Sequence, residues 1–221
     1  MQEHHLTVPR TARFYTLGNI GPELREIWFV LHGYGQLAGY FLKRFAPLND
    51  GHRLIVAPEA LSRFYLEGTG GRVGATWMTR EDRLREIQDY VNYLDTVKVE
   101  ILRQLDRPEV PITVLGFSQG TATACRWVTQ GHVRPTRLIL WAGGIPPDVS
   151  FDGKPNFFEE CRLILVLGDN DPYLTPELVE EHQNRLQQVQ IPFRLIRYPG
   201  GHRIDGKVLK SLAATSPTDT P

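Results

Sequence analysis

Gly116-Phe117-Ser118-Gln119-Gly120 stands between the apolar run Pro111–Leu115 and the helix-like stretch Thr121–Gln130. A serine held at a tight corner between strand and helix needs small neighbours for the turn to close, and Gly116 and Gly120 supply them. A helix starting directly behind Ser118 would also aim backbone N–H groups at negative charge developing beside the hydroxyl. At average glycine usage, a pentapeptide of this form arises by chance in about one chain of this length in ten. Its place after a strand and before a helix gives it weight, and the partners further along decide its meaning.

Outward from this corner, apolar runs of strand length alternate with helical patterns. The expected strands are Arg13–Leu17, Ile27–Leu31, Arg53–Ala57, Ile112–Gly116, Arg137–Trp141, Arg162–Leu167 and Phe193–Tyr198. The middle ones are apolar at successive positions, as suits strands covered on both faces of a parallel sheet. Between Thr79 and Leu105 one apolar stripe recurs at helical spacing, from Leu84 and Ile87 to Ile101 and Leu105. Thr79 with Asp82 resembles a capping box at its start, and Pro108 lies just beyond its end. Thr175-Pro176 opens a further helix through Leu186 and Val189 that Pro192 stops. Short helices are expected over Tyr40–Leu48 and Ile204–Leu212. The glycine-rich Glu67–Gly74 reads as a mobile loop, without the preceding strand or the lysine of a phosphate cradle. This alternation predicts an α/β fold with a mostly parallel sheet. Residues 1–214 are expected to form one domain and 215–221 a frayed tail.

With 221 residues, 41% hydrophobic content, and 25 basic against 25 acidic side chains, the chain carries no electrostatic footprint for nucleic acid or an anionic membrane. Its apolar runs are too short for a membrane span, and Met1–Val8 has no apolar signal core. A cytoplasmic protein is the expectation. Cys125 and Cys161 read as small buried apolar residues. Cysteine spacing and histidine placement give no tetrahedral metal set, so neither a metal nor a cofactor is expected.

A serine hydroxyl becomes a useful nucleophile when a base takes its proton, and a carboxylate fixes that base in the right tautomer. In a parallel sheet these groups converge at the carboxyl ends of the strands. The strand Arg162–Leu167 runs into Gly168-Asp169-Asn170-Asp171-Pro172, and the strand Phe193–Tyr198 into Pro199-Gly200-Gly201-His202. The chain order is then serine, acid, histidine. Asp171 is preferred as the acid because Pro172 pushes its backbone toward extended geometry; Asp169, the alternative, suits bonding its own turn. Of seven histidines, His202 is placed best as the base. His32, after the strand Ile27–Leu31, would orient its loop. An oxyanion site needs two main-chain donors. Gln119 offers one, and the turn His32-Gly33-Tyr34-Gly35 the other, through Tyr34 or next to it Gly33. Candidate pocket residues are Tyr34, Leu37, Phe41, Leu66, Trp77, Met78, Ile145 and Tyr173, each of which could instead belong to the core.

Leu31-His32-Gly33-Tyr34-Gly35, Gly116-Phe117-Ser118-Gln119-Gly120, Asp169-Asn170-Asp171-Pro172 and Gly200-Gly201-His202 together resemble the phospholipase/carboxylesterase family of α/β-hydrolases, which includes acyl-protein thioesterases and bacterial carboxylesterases. The resemblance spans roughly residues 24 to 212. It implies an α/β-hydrolase fold with a mostly parallel sheet of about seven strands, flanked by helices. It also implies Ser118 as nucleophile, Asp171 as acid, His202 as base, and Tyr34 and Gln119 as main-chain donors. The chain departs from the family at Thr121, where a second glycine is usual, at Gln36, and at Trp77-Met78-Thr79, so acyl preference is left open. The implied reaction is two-step hydrolysis of a small ester or thioester, with a homodimer compatible. A ligand-binding module without turnover and a peptidase of the same fold are the competing readings.

Overall fold

The six residues of β2 (Glu26–Leu31) are all buried, and their side chains alternate between two cores. Ile27, Phe29 and Leu31 face one cluster, Trp28 and Val30 the other. A strand with apolar residues at both parities is stable only where each face of its sheet is covered. The computed structural model describes residues 1–105, 109–150, 160–188 and 190–215.

Around β2 lie β1 (Phe14–Leu17), β3 (Arg53–Pro58), β6 (Ile112–Phe117), β7 (Arg137–Trp141), β8 (Arg162–Gly168) and β9 (Phe193–Tyr198). They form one seven-stranded sheet in the order β1-β3-β2-β6-β7-β8-β9. Only the β1–β3 pairing in it is antiparallel. The chain is α/β, with a mostly parallel central sheet flanked by helices.

On one face pack α2 (Arg83–Leu102), α3 (Gln119–Gln130) and α4 (Pro176–Gln188), through residues such as Tyr90, Leu94, Trp127 and Leu186. On the other lie α1 (Ala38–Leu42), the 3₁₀ turn Lys43–Leu48 and α5 (Gly206–Ala214), through Phe41, Phe45, Leu209 and Leu212. Cys125 and Cys161 are buried, and burial pushes both thiols up to about 12.

Three expectations need correction. Glu67–Gly74 is not a loop: β4 (Ser62–Glu67) and β5 (Gly70–Thr76) form an antiparallel hairpin with Gly68 at φ 55° in its two-residue turn. The long helix starts at Arg83, not Thr79. Asp82 caps it in a left-handed conformation with no side-chain bond, while the Thr79 N–H donates to Glu86 Oε2 at 2.6 Å. Leu84, expected in its buried stripe, is exposed. Pro108, Val189 and residues 216–221 lie outside the described residues.

At the amino ends of the strands, Arg137 and Glu26 form a buried ion pair. Thr113 Oγ1 donates to Glu26 Oε1 at 2.6 Å and accepts from Arg137 Nε at 3.0 Å. Arg137 Nη1 reaches the Leu212 carbonyl at 2.7 Å, fastening α5 to the sheet. The opposite, carboxyl edge carries all the residues expected to do chemistry.

Candidate active site

Ser118 occupies the single residue between β6 and α3, at φ 53° and ψ −118°. Such a conformation is costly for a residue with a side chain and persists only when its surroundings impose it. The packing does so. A Cβ on Gly116 would lie 2.2 Å from Gly120 O, and one on Gly120 would lie 2.2 Å from Leu31 O. Both glycines are required by the close approach of β2, β6 and α3. The Ser118 N–H donates to Trp141 O at 2.9 Å, which ties the corner to β7.

The turn after β2 meets this corner directly, since a Cβ on Gly33 would sit 3.1 Å from Ser118 Cβ. The Gly33 N–H is already committed to Gln36 Oε1 at 2.8 Å. The Tyr34 N–H makes no hydrogen bond among the described residues. Gln119, first residue of α3, has no intrahelical carbonyl for its N–H. Among the described residues, the N–H groups of Tyr34 and Gln119 are thus both open donors on the segments that meet at Ser118.

His32 is tied into its own turn. It is buried, with Nδ1–H donating to Gly33 O at 2.8 Å and Nε2 accepting from the Ala60 N–H at 3.0 Å. Burial brings its pKa down to about 4, so the ring is a neutral brace for the turn.

The loop after β8 carries Asp171, whose side chain is inaccessible to solvent. Its Oδ1 accepts from the Tyr173 N–H at 3.0 Å, and its Oδ2 lies 2.7 Å from His202 Nδ1. A carboxylate only accepts, so Nδ1 carries a proton, and in the neutral tautomer this leaves the lone pair on Nε2. Asp169, the other candidate, is exposed and pairs with Arg197 Nε at 2.7 Å. The two loops are stitched together by the Asn170 N–H donating to Gly200 O at 2.9 Å. The His202 ring lies between Phe117, at 4.9 Å between centroids, and Tyr173, at 4.7 Å. Among the described residues no hydrogen bond joins the Ser118 hydroxyl to His202.

Several supports were not legible beforehand. The Gln119 side chain donates to Met78 O at 3.0 Å and accepts from the Trp77 N–H at 3.2 Å, pinning the segment after β5. Trp141 Nε1–H donates to Arg203 O at 3.0 Å, and the Tyr198 hydroxyl lies 2.6 Å from the same oxygen. The hairpin is anchored to the turn after β2 by Gly35 N–H to Ala75 O at 2.9 Å. A side chain on Gly74 would collide with Gly35, its Cβ 2.5 Å from the carbonyl oxygen.

A cavity of about 590 Å³ opens beside His202, and Leu37, Phe41, Leu66 and Phe117 are on its wall. Five other pocket candidates are elsewhere, among them Tyr34, whose exposed ring packs against Phe64 at 5.1 Å between centroids. Trp77 is buried and donates its indole N–H to His32 O at 2.8 Å; Ile145 is core, and Met78 packs against that core. Tyr173 is exposed and covers the far side of the His202 ring. Among the described residues, one grouping of acidic and histidine side chains is close enough to share a metal, the exposed Glu3, His5 and Asp82; it includes none of the residues at this edge.

A profile of the phospholipase/carboxylesterase family matches residues 23–215. The chain belongs to that family. Curated protein sequences give no match. Among solved structures, this family member is similar to Zea mays acyl-protein thioesterase 2, with 17% identity, a TM-score of 0.70, and 92% of this chain and 99% of that one covered. Bacillus cereus carboxylesterase matches at 13% identity and TM-score 0.65, covering 91% and 92%. Esterase PE8 matches at 20% and 0.66, covering 93% and 97%. At such identities the likeness concerns the fold. The phospholipase/carboxylesterase assignment and the helix-flanked sheet agree with the resemblance first read from the four motifs. Among its described residues, no helix is long and apolar enough to cross a membrane.

Proposed function

We propose that this phospholipase/carboxylesterase family member hydrolyses carboxylic esters or thioesters through an acyl-enzyme on Ser118. His202 Nε2 takes the hydroxyl proton as Ser118 Oγ attacks the carbonyl carbon. The N–H groups of Tyr34 and Gln119 hold the resulting oxyanion. The imidazolium, steadied by Asp171, then protonates the departing alcohol or thiol. Water deprotonated by the same ring attacks the acyl-enzyme, and Ser118 recovers its proton as the acid leaves. No cofactor takes part in this route.

One observation supports the reading above the others. A solvent-inaccessible carboxylate 2.7 Å from Nδ1 of a histidine orients that ring toward a reaction at its other nitrogen. The reading of residues 1–214 as one cytoplasmic domain belongs to the same proposal. The test is turnover of p-nitrophenyl esters of increasing acyl length by wild type, Ser118→Ala and His202→Ala. Hydrolysis that survives Ser118→Ala undiminished would refute the reading.

A further inference from the structure

The cavity beside His202 has an uneven chemistry. Apolar side chains form much of its wall, yet Arg44, Arg72 and Arg203 also line it, and no Asp or Glu does so among the described residues. Over the whole chain the charges balance, with 25 basic and 25 acidic side chains, so a wall with three arginines and no carboxylate is a local excess. Arg44 and Arg203 are exposed and have no carboxylate partner among the described residues. Arg72 shares a solvent-exposed contact with Glu67, 3.1 Å away. Lys43 adds a further cation, 5.0 Å from the ring of Tyr40 on the same wall.

The three guanidinium groups come from separate parts of the chain. Arg44 follows α1, Arg72 is on β5, and Arg203 directly follows the proposed base. Packing does not require three cations around one hollow. Guanidinium forks match carboxylate and phosphate oxygens in pairs. A neutral ester would leave Arg44 and Arg203 without a charged partner, Arg72 keeping its contact with Glu67.

Resting on the hydrolase reading above, we propose that the substrate is an ester or thioester carrying an anionic group, a carboxylate or a phosphate. Arg44 and Arg203 bind that group together with Arg72. The apolar stretch between them and His202 takes the few methylenes that separate the anion from the scissile bond. The cavity volume lies in the range of small-molecule sites.

Two substrate pairs test this on the full chain. The first compares mono-p-nitrophenyl adipate with p-nitrophenyl hexanoate. The second compares the hexanoyl ester of glycerol 3-phosphate with that of glycerol. In at least one pair the anionic member is expected to have kcat/KM about tenfold higher at low salt, with the advantage shrinking as salt rises. The responding pair tells a carboxylate in the acyl half from a phosphate in the leaving half. Arg44→Gln/Arg203→Gln should bring the ratio near one, whereas exposed Arg25→Gln should leave it unchanged. Equal turnover within both pairs, or a preference that survives the double substitution, overturns the anion proposal while Ser118 still labels with a fluorophosphonate. No turnover of any of the four esters and no labelling removes the hydrolase reading instead, and this proposal with it.

Discussion

A side chain on Gly120 would place its Cβ 2.2 Å from the carbonyl oxygen of Leu31 and 2.8 Å from that of His32. The start of α3 thus rests directly on the end of β2, and one methyl group would push the two donors beside Ser118 apart. Gly120→Ala should destabilise the fold by about 1–3 kcal/mol. It should also lower kcat/KM by about 10² through misplaced main-chain groups. Gly206→Ala is the control: nothing lies within 4 Å of its Cβ position, at the first residue of α5. It should be neutral or stabilising by up to about 1 kcal/mol in urea unfolding.

The two aspartates of one loop should separate cleanly. Asp171→Asn keeps the shape and removes the charge facing His202 Nδ1, so kcat on p-nitrophenyl acetate should fall by about 10³–10⁴. Asp169→Asn loses only an exposed pair with Arg197, and kcat should stay within about twofold. A larger loss from Asp169→Asn would reverse the choice of acid.

Acid stability should carry the signature of His32. Its folded pKa is near 4 against an ordinary 6.5, because burial disfavours the charged ring and Nε2 already accepts from Ala60. Above pH 6.5 the ring is neutral in both states, and its contribution is fully present. As pH falls from 6.5 toward 4 the unfolded chain binds a proton the native one refuses. Stability should drop by an amount on the order of 3 kcal/mol over that window and then level off. Urea midpoints measured across it should show the slope in wild type and a flatter line in His32→Phe. Asp148, held down at about 2 by Arg126, is lost only below pH 4, so the two effects occupy different windows.

The buried pair Arg137–Glu26 lies at the amino ends of the strands, away from the reaction edge. Arg137→Leu leaves the buried Glu26 with Thr113 and a longer contact to Arg53 Nε at 3.4 Å, releases the end of α5, and should cost about 3 kcal/mol. Glu26→Leu/Arg137→Leu should recover part of that loss. In both variants, kcat per folded molecule should stay near wild type, which active-site titration under folding conditions would check.

How much was legible in the sequence follows from which forces are local. Ile27–Leu31 and Leu138–Leu140 announce a sheet covered on both faces, because burial leaves no polar alternation. The serine corner and its two partner loops are also local patterns, a strand end followed by a glycine and a short polar turn. The β4–β5 hairpin was hidden because Tyr65, Leu66 and Val73 are exposed and glycines surround its turn, so composition reads as loop. Trp77 illustrates the other limit. A large aromatic near a predicted site looks like a pocket wall until His32 O, 45 positions away in the chain, is seen to take its N–H. The grip of Gln119 on Trp77 and Met78, and of Trp141 on Arg203, is likewise made only by the folded chain.

The most direct measurement is intact-mass analysis after fluorophosphonate treatment, with peptide mapping of the adduct. The expected result is one adduct per chain, on Ser118, absent from Ser118→Ala and strongly slowed in His202→Ala. A folded wild type that takes no adduct, or an adduct that persists in Ser118→Ala, would contradict the proposal that Ser118 is the nucleophile.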